Sequence, residues 1–175
     1  KMDFSKGFNV QLATLFGIGK IPGGGTWASL IVLLIALYEQ NAETASFLAF
    51  FTLIIGPGAY RKLIALLESE DPKEYVLDEV VGMGIAISGV YIFTSIFDQF
   101  SFNLIESLSP TSELFILTFI VFRFFDISKI GPVGWVESNP KEKAYNRVIG
   151  DDILAALLSI IVVIIFLSVN LWILQ

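Results

Sequence analysis

Histidine and cysteine are both missing from this chain of 175 residues, and charge is scarce, with Asp, Glu, Lys and Arg making up only 16%. Without cysteine there is no disulfide, no thiolate nucleophile and no cysteine metal site. Without histidine, phosphohistidine chemistry, hydrolysis by a Ser-His-Asp set, and imidazole-bound zinc or iron are all excluded. Any chemistry therefore runs on carboxylates, lysine, arginine and hydroxyls. Carboxylates acting without imidazole or thiolate suit a hard cation, and magnesium is the commonest such partner. Also absent is any Ser- or Pro-rich linker or internal repeat, so residues 1–175 are expected to form one integral-membrane domain. No small-residue cleavage site follows the mildly amphipathic stretch from Lys1 to Lys20, so no cleavable signal peptide is expected.

What the chain has in abundance is apolar length. Hydrophobic residues make up 55% and the mean hydropathy is +0.76, which is the profile of a bilayer protein. The apolar runs are continuous rather than alternating, so they read as helices and not as barrel strands. The expected fold is an all-α polytopic membrane bundle of about five spans: Thr26 to Tyr38, Thr44 to Leu67, Leu77 to Phe97, Ser112 to Ser128, and Asp151 to Leu174. The first is short, and "NVQLATLFGIG" before it is a candidate re-entrant or interfacial segment. Gly56, Pro57 and Gly58 are expected to interrupt the second span near its far end, leaving Tyr60 to Leu67 as a kinked or interfacial continuation. Gly82, Gly84, Ala86 and Gly89 would let the third approach its neighbours closely.

The cations are distributed unevenly among the connections. Lys1, Lys6 and Lys20 precede the first span; Arg61, Lys62 and Lys73 lie between the second and third; Arg123, Lys129, Lys141, Lys143 and Arg147 lie at or after the end of the fourth. All 11 Lys and Arg residues thus fall on one side, which the positive-inside rule assigns to the cytoplasm. The N-terminus is then inside and the C-terminus outside.

That topology brings distant motifs to one face. "FGIGKIPGGGTWASL" enters the first span, "LDEVVGMG" the third and "GDDILAA" the fifth, while "FRFFDISK" leaves the fourth. Five carboxylates, Asp78, Glu79, Asp126, Asp151 and Asp152, can converge there, and like charges that close repel unless a cation sits among them. Arg123, Asp126 and Lys129 recur at three-residue steps and share one helical face if the helix persists that far. Each piece also has a plain structural reading. Asp at a helix start is an ordinary N-cap, a glycine run is a turn, and Arg123 with Asp126 is an i, i+3 ion pair. From Ser112 to Asp126 is about fourteen helical steps, roughly 21 Å, against a hydrocarbon core of about 30 Å. Asp126 is therefore expected below the headgroup surface, where a lipid phosphate is the natural visitor, with Trp27 and Trp135 as interfacial anchors. A net charge of -6 argues against nucleic acid as a partner. An ion- or proton-coupled transporter is the alternative reading, since intramembrane carboxylates also mark ion paths. It would place charges near mid-membrane and show inverted repeats, and neither is visible.

In order along the chain, "FGIGKIP...GTWASL", "DEVVGMGIA", "FRFFDISKIGPVGW" and "DDILA" resemble the successive signatures of the phosphatidylglycerophosphatase A family. The resemblance implies a bacterial inner-membrane enzyme that uses magnesium to remove the terminal phosphate of phosphatidylglycerophosphate, an anionic phospholipid, giving phosphatidylglycerol. By the same resemblance, catalytic roles fall to Asp126, Asp78 and Asp151. Metal binding falls to Glu79, Asp78, Asp126, Asp151 and Asp152, and substrate binding to Arg123, Lys129, Thr26, Ser29 and Lys20; Arg147, which lies where the chain departs from the family, is expected to contact the substrate's phosphate or glycerol. Either a water or Asp126 itself would attack the phosphorus. The chain departs from the family pattern at Ile130, where a proline is usual, and at Ala28, where a glycine is. It also departs in "ESEDPKEYVL", where a histidine usually precedes the acidic pair, and in "YNRVIG", which replaces a glycine-rich run and implies a reshaped loop before Asp151.

In this cysteine-free background, Asn41→Cys is expected to react with an impermeant maleimide from the periplasm and Ser138→Cys only from the cytoplasm. Labelling of Ser138→Cys from outside would put the carboxylate face on the wrong side of the membrane.

Overall fold

The computed structural model describes residues 7–100, 112–139 and 142–173, and these form helices with no strands among them. Lys1, Lys6, Lys141, Leu174 and most of the connection before Ser112 lie outside the described residues. A short helix α1 (Phe8–Ala13) and a 3-10 turn (Leu15–Lys20) lead into α2 (Gly24–Glu39). Then follow α3 (Glu43–Leu67), α4 (Leu77–Phe100), α5 (Ser112–Ser128), the one-and-a-half-turn α6 (Pro132–Glu137) and α7 (Ala144–Ile173).

Three of these, α3, α4 and α7, are long and apolar enough to cross a membrane. The expected first and fourth spans are present as α2 and α5; α2, at 16 residues, rises about 24 Å, short of a full hydrocarbon core, and the described part of α5 covers 17 residues. The helical membrane bundle is thus as expected, with three full-length spans among the described residues and α2 and α5 packed beside them.

Helix α4 is the centre, packing against α2, α3, α5 and α7. Its glycines make that possible. A Cβ on Gly84 would lie 2.7 Å from the Ala45 carbonyl oxygen of α3, and one on Gly82 2.8 Å from the Phe122 ring of α5. Neighbouring backbones approach to where no larger residue fits, the small-residue packing that helices use in lipid. The main core gathers Val32, Val80, Met83, Ile87, Phe115, Phe122 and Ala155 around this helix.

Two expectations are corrected. Helix α3 runs through Pro57 without interruption, since one missing N–H and its freed carbonyl are tolerable in a long helix packed in a membrane bundle. Gly56 has a tertiary reason instead: the Tyr75 and Tyr145 hydroxyls lie 2.9 and 2.8 Å from where its Cβ would be. The last helix starts at Ala144 rather than Asp151, so "YNRVIG" is helical and not a loop, and Asp151 and Asp152 lie inside the helix rather than capping it. The extra turns are held because Tyr145 packs on Tyr60, with ring centroids 5.2 Å apart, and because Ile149 is buried.

Candidate active site

The start of α2, the end of α3, the start of α4, the end of α5 and the first turns of α7 meet at one end of the bundle. A cavity of about 330 Å³ opens there, with Asp78, Glu79, Asp126, Asp151 and Asp152 all in its wall. The predicted convergence of five carboxylates is what the fold produces. Asp78, Asp126, Asp151 and Asp152 are buried, so their charges lack the screening that water gives surface acids.

These five acids divide into two sets. Asp126 and Asp151 have cationic partners. Asp126 Oδ2 accepts from Arg123 Nη1 at 2.6 Å and Asp126 Oδ1 from Lys129 Nζ at 3.4 Å, while Lys129 also pairs with Asp151. Lys129 follows the last turn of α5 with a left-handed backbone, φ 51°, and its N–H still reaches the Phe125 carbonyl. The three-residue spacing therefore works although the α-helix ends at Ser128. Burial opposes the Lys129 charge, but the Asp151 and Asp126 carboxylates outweigh it and raise its pKa above the ordinary lysine value. Lys129 is accordingly a permanent cation.

Asp78, Glu79 and Asp152 form the second set. Each offers a carboxylate oxygen, and these lie within 4.8 Å of one another. None has an ion-pair partner among the described residues, and Glu79 Oε2 and Asp152 Oδ1 are buried without any hydrogen-bond partner. Orphaned acceptors at that separation, all of one sign, have the chemistry of an oxygen-ligand site for a hard divalent cation. The residues present fit a magnesium ion.

The remaining expected residues are placed as follows. Thr26 and Ser29 hold Arg123, with Thr26 Oγ1 accepting at 3.1 Å and Ser29 Oγ at 3.4 Å; both are thus supports for the cation. Arg147 sits in the wall of the cavity and donates to the exposed Glu70 at 3.3 Å. Lys20 lies in a neighbouring cavity that shares Glu79 with the first. The glycine run is explained by contact: a Cβ on Gly25 would overlap the Glu79 carboxylate, so α2 can rest on that group only with hydrogen there.

Sequence reasoning missed Lys73 and Tyr75, both in the wall of the acidic cavity. Burial raises the pKa of Tyr75, so its hydroxyl stays protonated and available as a donor. A single lysine and a single tyrosine in the connection before α4 carry no spacing that could have marked them.

A membrane helical bundle whose one end gathers metal-competent carboxylates beside half-buried, ion-paired cations belongs to the class of membrane-embedded proteins with a polar site at one end, and its chemistry is compatible with a phosphate ester. Residues 11–167 match the family described as Phosphatidylglycerophosphatase A. The chain is also 32% identical over 160 residues to phosphatidylglycerophosphatase A of Haemophilus influenzae, covering 87% of this chain and 84% of that protein. The chain belongs to the phosphatidylglycerophosphatase A family. No solved structure matches it. The transporter alternative finds no support in these comparisons.

Proposed function

We propose that the chain is a magnesium-dependent lipid phosphomonoesterase that hydrolyses phosphatidylglycerophosphate to phosphatidylglycerol at the cytoplasmic face of a bacterial inner membrane. The observation that carries the reading is the division of the acids: three carboxylates without cations beside two that hold Arg123 and Lys129. Membership of the family supplies the substrate class, and the one-sided distribution of Lys and Arg supports the cytoplasmic assignment.

Asp78, Glu79 and Asp152 would hold magnesium, which when bound supplies Lewis-acid stabilisation of phosphoryl charge and a more acidic water. Arg123 and Lys129 neutralise the non-bridging phosphoryl oxygens, and because Asp126 and Asp151 already fix their positions, little reorganisation is needed as charge develops. Thr26 and Ser29 keep the guanidinium of Arg123 oriented. In the overall reaction a water oxygen forms a bond to phosphorus, the bond from phosphorus to the glycerol oxygen breaks, and that oxygen leaves as a hydroxyl carrying a proton. Inorganic phosphate and phosphatidylglycerol are the products. With both Asp126 oxygens engaged by cations, attack by water with Asp126 orienting its neighbours suits this geometry better than attack by Asp126.

Purified protein in detergent is expected to release phosphate from phosphatidylglycerophosphate with magnesium and to lose that activity in excess chelator; no release, or release indifferent to the metal, contradicts the reading. Asp126→Asn keeps size and removes charge. Turnover per folded molecule should fall by at least about a hundredfold, roughly 2.7 kcal/mol in the barrier, while the variant still extracts as a stable bundle. An unstable variant with normal specific activity would make the Arg123 pair purely structural.

Gly25→Ala tests the seat of Glu79. The carboxylate is the mobile end of its side chain, so the fold should survive with a thermal midpoint within a few degrees of the parent. Displacing one ligand should lower magnesium-dependent turnover by at least about tenfold. Unchanged turnover would remove Glu79 from the site.

A further inference from the structure

Next to the acidic cavity, and sharing Lys73 and Glu79 with it, lies a second cavity of about 440 Å³, walled also by the glycine-rich entry to α2, Glu74 and Arg123. Its cations come from three separate segments: Lys20 from the 3-10 turn, Lys73 from the connection before α4, and Arg123 from α5. Arg123 Nε is buried without a hydrogen-bond partner, although both terminal nitrogens of that side chain are engaged by Asp126, Thr26 and Ser29. One strong donor is thus left over in the wall of this cavity, a basic one in that its three cations outnumber Glu74 and Glu79. Helix α2 also begins here, and its N-cap Gly23 provides no side-chain cap, so the N–H groups of the first turn are donors that an anion can use.

The two cavities face different surroundings. Ile21, in the wall of the basic cavity, is 47% exposed, and the nearby Trp27 and Phe16 are 49% and 68% exposed. Apolar side chains left bare at this end of a membrane bundle belong at the lipid interface. The acidic cavity is instead bordered by Glu70, Asp71, Glu137 and Arg147, a border suited to water. Lys73 and Glu79 belong to both walls. A lipid headgroup with two phosphates on one glycerol has the same polarity, since its phosphodiester stays next to the acyl chains and its phosphomonoester lies farther out.

We infer that the basic cavity is the subsite for the phosphodiester of the lipid headgroup, and that Lys73, between the two cavities, is a specificity-determining residue that sets the lipid in register with the acidic site. This rests on the phosphatase reading. Lys73 is a point charge that helps the ground and transition states alike, so its loss acts on capture rather than on turnover.

The test uses the two products as separate probes of the two cavities. Phosphatidylglycerol carries only the phosphodiester, and inorganic phosphate stands in for the monoester. In detergent micelles of fixed lipid mole fraction, Lys73→Ala should raise the KM for phosphatidylglycerophosphate and the inhibition constant of phosphatidylglycerol by about tenfold each. It should leave kcat and the inhibition constant of inorganic phosphate within about twofold. Lys62→Ala, which removes an exposed charge of α3, should change none of these. An unchanged inhibition constant for phosphatidylglycerol, a parallel rise for both inhibitors, or no inhibition of the parent protein by phosphatidylglycerol overturns the subsite. Failure of the parent protein to release phosphate at all would overturn the phosphatase reading first, and this one with it.

Discussion

Repulsion among buried carboxylates is the constraint around which this bundle is organised. Four aspartates lie buried at one end of an apolar helical protein, where each uncompensated charge is costly and like charges add to that cost. Arg123 and Lys129 compensate Asp126 and Asp151 from within a few residues of the same helix end. Asp78, Glu79 and Asp152 are left with one another. Such a trio stays ionised only with a positive partner, which the hard cation proposed above would supply.

The fold exists in a form that imposes this crowding. The carboxylates come from α4, α5 and α7, and they can meet only because α4 carries glycine where its neighbours press on it. Gly82 faces both the Phe122 ring and the Asp152 Cβ, so the close approach of α5 and α7 to α4 and the approach of Asp152 to Asp78 are one packing event. Gly25 does the same for α2, letting its first turn lie on the Glu79 carboxylate. Packing and electrostatics are therefore coupled: bulk added at these glycines moves the charged groups before it unfolds the helices.

Much of this was legible in the residues, and the part that was not has physical reasons. Helix α5 ends at Ser128 as expected, because its apolar run gives way there to Lys129, Gly131 and Pro132. Helix α7 begins seven residues before the hydropathy does, because Tyr145 and Ile149 are held by contacts with distant segments while Asn146 and Arg147 between them read as a loop. Gly56 and Pro57 looked like a break when local propensity alone was considered; the hydroxyls of Tyr75 and Tyr145 that need the space come from elsewhere in the chain. Five candidate ligands could be named from spacing and topology, but their division depends on which acids Arg123 and Lys129 reach, and that is a property of side-chain placement. That Thr26 and Ser29, expected at substrate, accept hydrogen bonds from Arg123 depends on side-chain placement in the same way.

The most direct measurement of the central claim is the thermal midpoint of the purified protein in detergent as magnesium is titrated, for the parent chain and for Asp152→Asn. The account predicts a saturable rise for the parent, because bound cation relieves the repulsion among Asp78, Glu79 and Asp152. For Asp152→Asn it predicts a metal-free midpoint no lower than the parent's and a rise that is largely lost. A parent protein indifferent to magnesium, or a variant that responds to it as fully as the parent, would contradict the account.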